Sequence, residues 1–104
     1  MTQIYIIINE DLHMSKGKIA AQSAHAILEM YRNSNSKDKI LWENNGEKII
    51  VLRAPLSTIL SIYRTSPIQS WIIKDAGLTQ VQEGSITSLV IGPTRTILSE
   101  LKLL

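Results

Sequence analysis

The chain reads as an α/β protein: a three-layer α/β/α sandwich with a mixed four-stranded sheet in the middle. Four short apolar runs, at 4–8, 49–52, 71–73 and 89–91, are continuous rather than alternating, as strands covered on both faces require. Stretches with helical periodicity fall between them, so strand and helix alternate. A length of 104 residues suits one core and not two, giving a single domain over 1–104.

The first run, Ile4-Tyr5-Ile6-Ile7-Ile8, is the most strongly β-branched segment and predicts a central strand. A long helix is expected over about 16–32. The polar stretch 33–39 reads as a surface loop leading into a brief helical turn at 40–43. After the second strand, a helix over 57–64 must stop before Pro67. The residues from Asp75 to Thr87 carry no helical pattern, so the third and fourth strands are expected to run antiparallel, whereas helix-linked strands are more naturally parallel. A last helix is expected over about 94–101.

Composition narrows the chemistry. Hydrophobic residues make up 44% and charged residues 19%, a globular balance. Cysteine is absent, which excludes disulfides, thiolate nucleophiles and cysteine-based zinc sites. The sequence opens directly into an apolar strand and contains no membrane-length apolar stretch, so a soluble cytoplasmic protein is expected. A net charge of +2 permits a polyanionic partner without requiring one.

The first helix carries the most information. Lys18, Gln22, His25 and Glu29 share one face, and apolar residues surround them. On spacing alone the same stripe describes a solvated helix face. Lys16, Gly17 and Lys18 bring two cations and free backbone N–H groups to a helix start, a favourable setting for phosphate and equally that of a basic loop. A nucleotide-binding P-loop is excluded because Leu12 and Ile19 stand where that motif needs Gly and Ser or Thr. His13 and His25 form no recognisable metal set, and Gly84-Ser85 lacks the setting of a serine nucleophile. Asp75-Ala76-Gly77-Leu78-Thr79-Gln80 follows the third strand and supplies a carboxylate, a hydroxyl and an amide, in a pattern that also fits a polar turn. If the first and third strands are parallel, Lys18 and Asp75 both lie beyond carboxyl ends of strands, where open α/β sheets place ligands.

The run Met14-Ser15-Lys16-Gly17-Lys18-Ile19-Ala20-Ala21-Gln22, followed by His25-Ala26, resembles the signature of type 2 peptidyl-tRNA hydrolases. The resemblance continues through Trp42-Glu43, Gly46, Asp75-Ala76-Gly77, Thr79-Gln80, Gly84-Ser85, Ile91-Gly92-Pro93 and Leu101-Lys102-Leu103-Leu104, covering essentially the whole chain. It implies a homodimeric enzyme that needs no metal or other cofactor and recycles tRNA by cutting the ester between peptide and tRNA. Peptidyl-tRNA is then the partner, with no role for DNA or a membrane. It also implies Lys18, Gln22, Asp75 and Thr79 as catalytic residues, with Lys16, Gly17, His25, Gly77 and Gln80 binding substrate.

On that reading Asp75, directly or with Thr79, positions water against the ester carbonyl, help worth ~10²–10⁴-fold. A carboxylate of ordinary pKa, about 3.9, is a weak base at neutral pH, so orientation counts for more than basicity, and a nearby ammonium favours its ionised form. Lys18 stabilises the oxyanion or a terminal phosphate, and Gln22 orients substrate through its amide. Lys16, Lys48 and Arg53 are candidates for added phosphate contacts. The chain departs from its relatives' usual pattern at Leu78, where Arg is common, at Ser23-Ala24 in place of Cys-Ser, and at Glu83 in place of Pro. Two other readings accompany the hydrolase: a non-catalytic RNA-binding relative, made conceivable by Leu78, and an interaction module using the apolar helix and Trp42 as its surface.

Overall fold

The computed structural model describes residues 1–76 and 84–104. The elements run β1 (Gln3–Asn9), a 3-10 turn (Glu10–Leu12), α1 (Lys16–Asn33), α2 (Ser36–Asn44), β2 (Ile49–Ala54), α3 (Leu56–Thr65), β3 (Ser70–Lys74), β4 (Ile86–Thr94) and β5 (Lys102–Leu103). They form an α/β fold with a mixed five-stranded sheet, ordered β3-β4-β1-β2-β5, and three helices.

All seven residues of β1 are buried, because the strand is central and covered on both faces. Ile4, Ile6 and Ile8 pack with Ala26 and Met30 of α1 and Trp42 of α2. Tyr5 and Ile7 face the other way, towards Leu52 and Ile59 of α3. Each fully buried isoleucine stabilises the fold by about 1.5–3 kcal/mol relative to exposure. This two-sided covering is why the sequence shows an unbroken apolar run instead of alternation.

β1 pairs parallel with β2 and antiparallel with β4, and β4 pairs antiparallel with β3, as expected from the lack of a helical sequence pattern between the two strands. β1, β2 and β3 therefore point the same way, and the ends of β1 and β3 come out on one rim.

The helix starts have visible causes. The Ser15 side chain accepts a hydrogen bond from the Lys18 N–H and caps α1. The helical turn expected at 40–43 is in fact the later part of nine-residue α2. Asn35 caps it: its side chain accepts from the Asp38 N–H at 2.8 Å and donates to the Asp38 carboxylate at 3.0 Å, a reciprocal arrangement like a capping box. The Asp11 carboxylate accepts from the Leu56 N–H at 2.9 Å and serves the start of α3, whose own cap residue, Pro55, makes no side-chain bond.

The sheet has five strands instead of the expected four, and no helix forms over 94–101. β4 runs on through Thr94, and β5 then pairs antiparallel with β2. The intervening backbone is claimed by side chains: the Thr96 carbonyl accepts from Gln3 Nε2 at 3.0 Å and from the Tyr5 hydroxyl at 3.1 Å, and the Leu98 N–H donates to that hydroxyl at 3.1 Å. A short helix containing β-branched Thr94, Thr96 and Ile97 nucleates poorly and loses to these bonds. Gly92, at φ +117°, sits where a Cβ would lie 2.9 Å from the Gln3 carbonyl oxygen, so the β1–β4 register requires glycine there.

Candidate active site at the rim of β1 and β3

The predicted stripe on α1 divides. The buried row of the helix is Gln22, Ala26 and Met30, and Gln22 is 2% exposed. Lys18, one turn earlier, is half-buried. His25 lies at the exposed flank, and Glu29 binds Asn33 of its own helix. Lys16 and Gly17 are exposed in the first turn.

Asp75 follows β3 directly, and its backbone is fixed on both sides: its N–H donates to the Ser85 carbonyl and its carbonyl accepts from the Gly84 N–H, each at 2.9 Å. Gly84 turns at φ +81°. The Asp75 carboxylate accepts from Lys18 Nζ in an ion pair, the two side chains being 2% and 8% exposed. Gln22 Nε2 donates to the same carboxylate oxygen at 3.2 Å.

Thr87, fully buried on β4, completes the group and was not a candidate from sequence. Its hydroxyl donates to Gln22 Oε1 at 2.7 Å, with the Ile73 carbonyl a more distant acceptor at 3.3 Å. The signal was the polar pair Thr87-Ser88 inside an otherwise apolar strand, since a buried hydroxyl needs a partner. The directions follow from chemistry. A carboxylate only accepts, so the Gln22 amide must present its NH₂ to Asp75; its oxygen then faces Thr87, which must donate. Thr87, Gln22 and Asp75 form a one-way chain ending on the carboxylate.

Moving two charges out of water costs several kcal/mol per ion before their attraction is counted. A buried ammonium and carboxylate at a strand rim are therefore a poor device for stability alone, and they resemble a site held ready for chemistry. Thr79, Gly77, Gln80 and Leu78 lie outside the described residues. Lys48 is exposed, and Arg53 bonds the Leu103 carbonyl and approaches Glu10 at 3.8 Å, on the β2–β5 side of the sheet. Trp42 is 3% exposed and donates its indole N–H to the Lys48 carbonyl, so it belongs to the core and offers no partner surface. A concavity of about 480 Å³ between α3 and the 97–101 segment carries none of the site residues. Among the described residues no three His, Asp or Glu side chains gather as a metal site, and no helix is long and apolar enough to cross a membrane.

Residues 2–104 match the family model described as peptidyl-tRNA hydrolase PTH2. The chain is 44% identical over 93 residues to a peptidyl-tRNA hydrolase of Methanothermobacter thermautotrophicus, covering 85% of this chain and 82% of that one. It is 38% identical over 97 residues to the Methanococcus vannielii peptidyl-tRNA hydrolase, covering 86% and 84%. It is 39% identical over 99 residues to a probable peptidyl-tRNA hydrolase 2 of Schizosaccharomyces pombe, covering 88% of this chain and about half, 48%, of that longer one.

Proposed function

Because the chain belongs to the PTH2 family of peptidyl-tRNA hydrolases, and so hydrolyses the peptide–tRNA ester, we propose that the rim of β1 and β3 is where it does so, with Asp75 and Lys18 as the catalytic pair. The observation that carries this reading is the buried contact between an ammonium from α1 and a carboxylate from beyond β3.

Asp75, with Thr79, orients a water towards the ester carbonyl carbon. As the water oxygen bonds to that carbon, the carboxylate takes its proton, a form of help worth ~10²–10⁴-fold. Lys18 faces the negative charge that develops on the carbonyl oxygen; one such preorganised donor contributes roughly 3 kcal/mol. Collapse breaks the bond to the ribose oxygen, which takes the proton held by the Asp75 carboxyl and leaves as a hydroxyl, and the new carboxylic acid of the peptide gives its proton to solvent. Gln22, with both ends of its amide engaged inside the protein, acts as a positioning residue that holds Asp75 rather than as a direct contact to substrate. Lys16, Gly17, His25, Gly77 and Gln80 bind the substrate.

The chain is proposed to work as a homodimer, a reading supported by exposed apolar side chains at Tyr31, Ile40 and Leu41. It is proposed to act in the cytoplasm, where ribosomes release its substrate. The non-catalytic alternative rests on Leu78, which lies outside the described residues.

The test is single-turnover cleavage of N-acetyl-aminoacyl-tRNA. Asp75→Asn keeps the shape and removes the base, and is expected to slow release of free tRNA by ~10²-fold or more. Turnover within threefold of the parent overturns the assignment.

A further inference from the structure

β3 and β2–β5 are the two sides of the sheet, and they end differently. The outer side of β2 is covered by β5, whereas no described strand pairs with the outer side of β3. The direction of the β3 backbone can be read from its bonds. The Gln69 carbonyl accepts from the Gly92 N–H, the Ile73 carbonyl accepts from the Thr87 hydroxyl, and Asp75 bonds Ser85 and Gly84, all towards β4. Backbone groups alternate in direction along a strand, so Ser70, Ile72 and Lys74 turn their N–H and C=O groups outward.

Beside this edge runs an open concavity of about 510 Å³, walled by His25, Leu28, Glu29 and Arg32 of α1 and by Ile72 and Lys74 of β3. Its wall reaches Lys74, the residue before Asp75. On the reading that Asp75 marks the hydrolytic site, we propose that the peptide part of the substrate lies in this groove as an added strand on β3, pairing parallel to it.

The direction is dictated by the chemistry. The ester is at the peptide's carboxyl end, and β3 runs towards Asp75, so only a parallel strand delivers the ester to the carboxylate. The alternating donors and acceptors of the edge match a peptide backbone. They match a phosphodiester poorly, because it offers only acceptors and would meet the outward carbonyls and Glu29. Backbone pairing reads no side chains, so it places no demand on the sequence of the peptide. Five residues of β3 limit the contact to a few peptide residues.

The test compares N-acetyl-aminoacyl-tRNA with N-acetyl-tetrapeptidyl-tRNA on the same tRNA, using the unaltered protein. The longer peptide is expected to raise kcat/KM roughly tenfold, the effect of about two ordinary hydrogen bonds. N-methylation at alternate peptide amides is expected to remove that gain in one register and leave it in the other. Equal cleavage of both lengths, or a gain indifferent to methylation in either register, overturns the proposal while leaving the hydrolytic site intact. If Arg32→Ala and Lys74→Ala raise KM equally for both substrates and methylation has no effect, the groove takes the RNA end instead and peptide docking is overturned. Cleavage of neither substrate overturns the site reading and the proposal with it.

Discussion

Replacing Thr87 with valine removes one hydroxyl from a fully buried position while keeping its shape. In the native structure that hydroxyl donates to Gln22 Oε1 at 2.7 Å, and Gln22 in turn donates to Asp75 at 3.2 Å. After Thr87→Val the amide oxygen is buried with its donor gone, a loss of about 1–3 kcal/mol in folding stability. The amide also loses the contact that fixes which way it faces. Turned over, it would set its oxygen against the Asp75 carboxylate, so Asp75 must shift or lose its bond. If the loss of order is fully felt in the transition state, the same 1–3 kcal/mol corresponds to roughly 5- to 150-fold in single-turnover rate. Urea denaturation and tRNA release from N-acetyl-aminoacyl-tRNA measure the two quantities separately, and Thr87→Ser, which retains the donor, should restore most of the rate. A valine variant that is destabilised yet cleaves at the parental rate refutes the positioning role of Gln22. One that loses no stability refutes the hydrogen-bond chain itself.

Lys18→Met leaves the Asp75 carboxylate buried without its ammonium and should cost about 3–5 kcal/mol, whereas Lys18→Met combined with Asp75→Leu should recover much of it; single-variant losses below about 1 kcal/mol in denaturant titration would contradict a buried pair. Gly92→Ala forces a side chain into φ +117° and against the Gln3 carbonyl, which should cost at least about 1–3 kcal/mol and lower Tm by several degrees; an unchanged melting temperature argues against the close approach. The Tyr31 phenol is held above its ordinary value of 10.0, chiefly by the charge of Glu43 and also by desolvation, a hydrogen bond to Glu43 and the charge of Glu47. A raised folded-state pKa stabilises the fold fully below the unfolded value, and that contribution is lost as pH climbs through the folded one. Glu43→Gln should therefore lower the midpoint of the Tyr31 phenolate absorbance change, taken as the difference from Tyr31→Phe, and a midpoint that stays put rules out Glu43 as the cause.

Much of the fold was legible because it is encoded locally. The run Ile4 to Ile8 declares a strand buried on both sides, and Pro67 sets a limit that α3 respects. The start of α2 was equally local, since Asn35 and Asp38 stand at cap spacing, but the polar composition around them suggested a loop. The segment 94–101 was not legible. Its conformation is decided by Tyr5 and Gln3, more than ninety residues away in the sequence, and no pattern within the segment reports that. The catalytic roles of Lys18, Gln22 and Asp75 were implied by the family resemblance, and Lys18 and Asp75 could also be nominated from placement, because topology brings the ends of parallel strands to one rim. Thr87 could not, because its value lies in meeting Gln22 across 65 positions of chain. His25 shares the helical stripe by spacing yet turns to the flank, since α1 packs on the sheet along Gln22, Ala26 and Met30.

The two backbone bonds that join Asp75 to Gly84 and Ser85 give the site a division of labour. They close a ring at its neck, so the Asp75 backbone is anchored to the start of β4, while Lys18 and Gln22 hold its carboxylate. The described partners of the carboxylate come from α1, so its oxygen and its backbone are held by separate parts of the chain. A chimera carrying a relative's segment between Ala76 and Gly84 keeps these contacts and so measures what the exchanged residues, Leu78 and Thr79 among them, add to cleavage.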